Sequence, residues 1–182
     1  MMNTPENIID EIARRAAEGL LARLQWMTVA PAAILVMGKE AGYLSECLKA
    51  RYPEAVMGQG DHFDLVISHL ELPWQDHLAA VINACRSYLQ PGGLLMVSTL
   101  GPDTLKEWPD QQACMVARMD MHEVGDVLVL AGLADPVMEV EHYTICYTNA
   151  IKMMEELRAG KMLLDSVREQ MPEKTEGKWQ LT

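Results

Sequence analysis

At 182 residues, 49% of them hydrophobic, the chain is long enough for one full core and too short for two ordinary domains, which excludes a disordered or fibrous protein. The formal net charge of −11 argues against nucleic acid as a partner, because phosphate binding needs a basic surface. No apolar run approaches the ~20 residues of a membrane span, and the opening Met1-Met2-Asn3-Thr4-Pro5-Glu6 has neither a basic nor an apolar signal region, so a cytoplasmic chain with no membrane partner is expected. Cys47, Cys85, Cys114 and Cys146 lie far apart, a pattern of reduced thiols rather than of a disulfide framework or a zinc site. His122-Glu123 lacks the second histidine of a metal-binding helix, and no metal is expected. Phenylalanine occurs once and methionine fourteen times, which points to an adaptable, Met-filled core.

Asn3 to Met27 reads as one amphipathic helix. Asn3 or Thr4 suits the cap and Pro5-Glu6 the first turn, and Ile8, Ile9, Ile12, Ala16, Leu20, Leu21 and Leu24 recur at helical spacing. Arg14, Arg15, Glu18 and Arg23 fall on the other face as solvated charge. After Pro31 comes an apolar strand, Ala33–Met37, then a helix from Gly42 to Arg51 that ends near Pro53. EAVMG (Glu54–Gly58) reads as a short second strand and FDLVISH (Phe63–His69) as a buried one. A helix over Gln75–Leu89 is broken by Pro91-Gly92-Gly93, before a strand over Leu94–Leu100. GPD opens a short helix near Thr104–Trp108, and Asp120 caps another over Met121–Ala131 that stops at Gly132. Pro136 begins a long alternating strand, VMEVEHYTICY; Thr148 or Asn149 caps a last helix running towards Val167. The regular alternation of strand and helix predicts an α/β fold, an open, mostly parallel sheet with helices on both faces. Residues 1–30 form an N-terminal helix and linker, 31–170 the main domain, and 171–182 a polar tail ending in WQLT, a candidate short last strand.

The stretch AAILVMGKEAGY, Ala32 to Tyr43, stands apart. A buried parallel strand running into a glycine turn and a helix is where a nucleotide-like cofactor sits. The glycines admit the ligand to the backbone, and the helix N-terminus supplies free N–H groups. Gly38 and Gly42 fit that role, and equally a strand-to-helix turn that needs glycine for backbone reasons alone.

Two longer runs, LQPGGLLMVSTLGPDTLKE and DMHEVGDVLVLAGLADPVMEVEHYTICYTNA, resemble the malonyl-acyl-carrier-protein O-methyltransferases of biotin precursor synthesis, which are class I S-adenosylmethionine (SAM) enzymes. FDLVISHLELPW resembles the segment around that family's fourth strand, and WMTVAPAAILVMGKEAGYLSECLKARYPEA its first strand, loop and helix; the similarity runs from about Leu20 to Leu157. It implies a Rossmann-like class I methyltransferase fold, SAM as cofactor and an acyl carrier protein as partner. Against the family's acidic residue and G-x-G-x-G, this chain has Val36, Gly38, Glu40 and Gly42. Glu40 fills the space of the middle glycine and brings a negative charge towards the ligand's carboxylate, at a cost of roughly 1–4 kcal/mol. Only Gln59-Gly60-Asp61-His62 separates EAVMG from FDLVISH, where the family has a ribose-holding acidic residue, a helix and a further strand. A parallel crossover needs roughly 10–12 residues. The expectation is that EAVMG cannot be a parallel second strand in its usual place, and that outer strands two and three are largely missing.

The resemblance and the positions assign Gly38, Gly42, Asp61 and Ser68 to the cofactor side and His69, Trp74, Thr99 and Asp103 to the substrate side. Each has a plainer alternative: turn chemistry for Asp61, a solvated or hydrogen-bonded histidine, core packing for Trp74, a helix cap for Asp103. Glu40 has no His, Ser or Cys partner fixed by spacing, and no catalytic residue is assigned. The expected function is that of a methyltransferase-fold pseudo-enzyme, impaired in SAM binding, that pairs with a protein partner or with itself through the uncovered edge of its first strand. The alternative is an active SAM-dependent O-methyltransferase on an acyl-carrier-bound carboxylate. The charge of −11 opposes an acidic carrier unless Lys152, Arg158, Lys161 and Arg168 form a local basic patch.

Overall fold

The most apolar run becomes the most buried strand. In the computed structural model, which describes residues 8–71, 78–107, 119–160, 162–163 and 176–181, Phe63–His69 (β3) is buried at every position except Asp64. It lies between β1 (Ala33–Gly38) and β4 (Leu89–Ser98), and β2 (Val56–Met57) completes a four-stranded sheet in the order β2-β1-β3-β4. Every pairing in that sheet is parallel. The Asp64 carboxylate accepts from the backbone N–H groups of Ala32 and Ala33, both at 2.9 Å, and so satisfies two donors at the foot of β1.

Because side chains alternate along a strand, the sheet has two apolar faces. Ile34, Leu65, Ile67 and Met96 pack against α1 (Ile8–Leu24) and α2 (Ala41–Arg51), through Ala17, Leu20, Leu24, Leu44 and Leu48. Phe63 and Val66 face Cys85 and Leu89 on the side of α3 (Leu78–Tyr88), and α4 (Met121–Leu130) packs on α3 through Val124, Leu78 and Ile82. Each fully buried Leu or Ile contributes about 1.5–3 kcal/mol. Met153 and Met154 are each 1% exposed, so methionine is a core filler here as expected. Among the described residues, no helix is long and apolar enough to cross a membrane.

Four expectations are corrected. First, β2 does pair parallel to β1, Ala33 with Val56 and Ile34 with Met57. The strand keeps only two residues, so the chain leaves it still at the amino edge of the sheet. Residues 58–62, turned by Gly58 (φ 62°) and Gly60 (φ 113°), then cross to Phe63. Two strand spacings are about 10 Å, within the reach of about 17 Å of five residues.

Second, α1 buries Leu20 and Leu24 as expected, but in its first half the buried positions are Ala13 and Ala17 rather than Ile12 and Ala16, which are half-buried. The two alanines let the helix lie close, and they carry Arg14 and Arg23 into ion pairs rather than into solvent. Third, Pro102–Glu107 forms turns, not a helix; Trp108 lies outside the described residues. Fourth, the strand expected from Pro136 is confined to β5 (Ile145–Asn149), since a strand needs a partner and among the described residues only this part has one. That partner is β6 (Glu176–Leu181), antiparallel to β5 in a separate two-stranded sheet, so the polar tail does end in a strand. Between them, Asn149 caps α5 (Ala150–Ala159) by accepting from the N–H groups of Ile151 and Lys152.

Candidate functional site

Parallel register gathers the carboxyl ends of three strands at one edge. Gly38 is opposite His69, and His69 is opposite Ser98. In open α/β sheets this is the edge where ligands bind. Gly38 is required there for close packing, because a Cβ on it would stand 2.1 Å from the His69 carbonyl oxygen, and its φ is 91°. Gly42 is different: a Cβ there would meet no atom within 4 Å. Of the two glycines, only Gly38 has a backbone reason to be glycine.

The turn between them is strained. Glu40 sits in the left-handed region (φ 53°, ψ 19°) at the N-cap of α2, and Leu70, just after β3, has φ 49°. Such conformations in non-glycine residues cost about 1–3 kcal/mol each and gather at functional sites. Glu40 is held by Arg14 of α1, whose Nε donates to the Glu40 carboxylate. The Arg14 guanidinium also lies over the Tyr43 ring, 3.8 Å from its centre. Lys39 makes a parallel pair with Asp10, four residues before Arg14 on α1 and so on the same face, at 3.3 Å. The Glu40 carboxylate therefore points at α1, and Arg14 offsets the charge expected to face a ligand.

His69 is fully buried and committed at both ring nitrogens. Nε2 lies 2.9 Å from the Ala13 carbonyl, which can only accept, so Nε2 carries the proton. Nδ1 is left to accept from the Ser98 hydroxyl at 2.6 Å, and Ser98 Oγ in turn accepts from the Leu70 N–H at 3.3 Å. Burial, the largest influence, pushes the His69 imidazole below its ordinary value, although the bond to Ala13 and the Glu40 charge act the other way. Its ring thus fastens α1 to the sheet.

The edge brings together Gly38, Ser68, His69 and Thr99 from among the residues named on sequence grounds, with Gly42 opening α2 beside them. Ser68 is fully buried, its hydroxyl 3.4 Å from the Glu71 carboxylate. Asp103 is exposed in the turns that follow β4. Asp61 is not part of this edge. It precedes Phe63, at the amino end of β3, about 20 Å away by strand length. Trp74 lies outside the described residues.

Sequence reasoning missed Asp10, Arg14, Tyr43 and Glu71. The signal available for the helix pair was their i, i+4 spacing with opposite charge, mirrored by the adjacent Lys39-Glu40.

No family model matches the chain. Among curated proteins, it is 29% identical to malonyl-acyl-carrier-protein O-methyltransferase 1 of Coxiella burnetii, over 81% of this chain and 63% of that protein. It is 31% identical to the malonyl-acyl-carrier-protein O-methyltransferases of Methylovorus sp. and of Laribacter hongkongensis, in each case over 81% of this chain and 66% of the relative. The chain thus spans less than two thirds of the length of these relatives. The matches extend over 177, 194 and 196 positions, more than 81% of 182 residues can supply, so the relatives carry residues inside the matched region that this chain skips. With a parallel sheet flanked by helices and homologues consistently of one kind, the chain belongs to the malonyl-acyl-carrier-protein O-methyltransferase family and has its Rossmann-like methyltransferase fold.

Proposed function

We propose that this chain is a pseudo-enzyme of its family, a methyltransferase fold that has lost an ordinary grip on SAM and acts through a protein partner. The observation that carries this reading is the position of β2. In the family, as the sequence resemblance implies, the second strand ends in an acidic residue that holds the ribose hydroxyls. Here β2 ends at Met57, opposite Ile34, so its carboxyl end lies at the foot of β1 instead of beside Gly38. Glu40 adds a second departure, since a glutamate paired with Arg14 stands where the family has its middle glycine. The residues present at this edge therefore do not fit the adenosyl donor.

One further feature supports action through a protein surface. The outer edge of β1 from Leu35 to Gly38 carries no strand among the described residues, and such an edge invites pairing with another chain or a second copy. An acyl carrier protein, the partner in the names of the relatives, is disfavoured by charge. Lys152 of the suggested basic patch pairs with Glu156 at 3.7 Å, and Lys161 and Arg168 lie outside the described residues.

Thermal unfolding with added SAM or S-adenosylhomocysteine tests the reading. The proposal expects an unchanged midpoint for the natural chain, and also for Glu40→Gly, because the ribose side is not restored by clearing the turn. A rise of several degrees in the natural chain would restore the second reading, an active SAM-dependent O-methyltransferase on an acyl-carrier-bound carboxylate, which the names of the relatives favour.

A further inference from the structure

Ser98 and His69 meet as a hydroxyl and a base. Parallel register sets them opposite one another at the carboxyl ends of β4 and β3, and the Ser98 hydroxyl donates to His69 Nδ1 at 2.6 Å. The imidazole is oriented in turn by the Ala13 carbonyl, which accepts from Nε2 at 2.9 Å. A hydroxyl bonded to a base whose other nitrogen is fixed by a third group is the arrangement that activates serine for acyl transfer. Here a backbone carbonyl stands where the usual triad has a carboxylate, and it sets the same tautomer without a charge.

Burial divides the two partners by role. His69 is fully buried, which holds its ring in the neutral form that can take a proton. Of the charges that act on it, Glu40 favours the imidazolium and Lys39 opposes it. Ser98 is only half-buried, at the edge where open α/β sheets take ligands. Its oxygen accepts from the Leu70 N–H at 3.3 Å, which leaves a second lone pair for attack. Fastening α1 to the sheet uses Nε2 alone, so that role does not account for the bond at Nδ1.

We propose that Ser98, with His69 as its base, is a nucleophile for acyl transfer from activated carboxylic esters. Oγ bonds to the acyl carbon and passes its proton to Nδ1; the ester C–O bond breaks, and the leaving alcohol takes that proton. Water then attacks the acyl-serine and gives a proton to Nδ1. The bond between the acyl carbon and Oγ breaks, Oγ recovers the proton, and the free acid departs. The inference goes beyond the proposed function and stands whether or not SAM is bound.

The test treats the full-length natural chain with an alkyl fluorophosphonate and, separately, with p-nitrophenyl acetate. Peptide mapping should find the phosphonyl group on Ser98 of the folded chain, and not on Ser98 of the chain unfolded in urea. Ser98→Ala should lose most of the ester hydrolysis. His69→Gln, in folded samples, should phosphonylate Ser98 roughly a hundredfold more slowly. The inference is overturned if Ser98 of the folded natural chain stays unmodified, if unfolding leaves its labelling unchanged, if Ser98→Ala hydrolyses the ester as fast as the natural chain, or if folded His69→Gln labels at the natural rate.

Discussion

Gly38 and Gly42 come from one short run and serve different ends. At Gly38 an added methyl group would collide with the backbone of β3 at 2.1 Å while φ stays at 91°, so Gly38→Ala should cost about 3–5 kcal/mol in urea unfolding. Gly42, the second residue of α2, faces open space, and Gly42→Ala should instead stabilise by about 0.5–1 kcal/mol. Equal losses at both positions would contradict this division. The spacing of the motif revealed that a turn stood here, but not which glycine the backbone needs, because that depends on how closely a strand distant in sequence approaches. His69 carries a pH prediction. Its folded value lies below the ordinary 6.5, so the unfolded chain takes up a proton that the folded chain refuses. Its contribution is complete above about pH 6.5 and is lost as pH falls through the folded value. Urea midpoints should decline over that window, and ring 15N shifts should report a neutral, Nε2-protonated imidazole at pH 6.5. A doubly protonated ring at that pH would be the contrary result.

Elements set by local chemistry were legible. For α4, Asp120 accepts from the N–H groups of His122 and Glu123 while Glu123 bonds back to the Asp120 N–H, and Gly132 takes φ 80° just past the end, all within a few residues of sequence. β3 was legible because an apolar run of that length is buried on both faces. Where the outcome depended on a partner, periodicity gave less. Val137 belongs to an alternating run, yet it is 94% exposed, and among the described residues only Ile145–Asn149 of that region meets a second strand. The stripe of α1 was placed correctly at Leu20 and Leu24 but shifted in the first half, because Ala13 and Ala17 weigh little on a hydrophobicity scale, although their small size is what lets α1 reach His69. The outer edge of β1 carries the element-scale prediction. Since the Ile34 carbonyl accepts from Gly58 on the β2 side, the backbone of Val36, two residues on, faces the same way. The natural chain should sediment as a concentration-dependent dimer, and Val36→Pro, which removes an outward N–H, should be monomeric. A natural chain that is monomeric at every concentration would argue against pairing through this edge.

At the scale of the molecule, one internal shortening shapes everything at the carboxyl edge. Five residues carry the chain from β2 to β3 beneath β1, so the sheet ends on a two-residue strand at one side. The fold survives because α1, α2 and the central strands share one apolar cluster that does not draw on the missing side. The sequence resemblance made this architecture legible, along with the shortened segment; the crossing itself was not, because the distance argument assumed a full-length second strand. Nor was the web of Asp10, Ala13 and Arg14 with Lys39, Glu40 and His69, which exists only once α1 is docked. On the proposed function, what remains does not hold an adenosyl donor, and titration calorimetry of the natural chain with S-adenosylhomocysteine decides the matter. A working low-micromolar site would add about 2.7 kcal/mol of stability at a hundredfold excess, and its binding heat would saturate. The natural chain should give no saturable heat; a single-site isotherm at low-micromolar affinity would show that the donor is held and the pseudo-enzyme reading wrong.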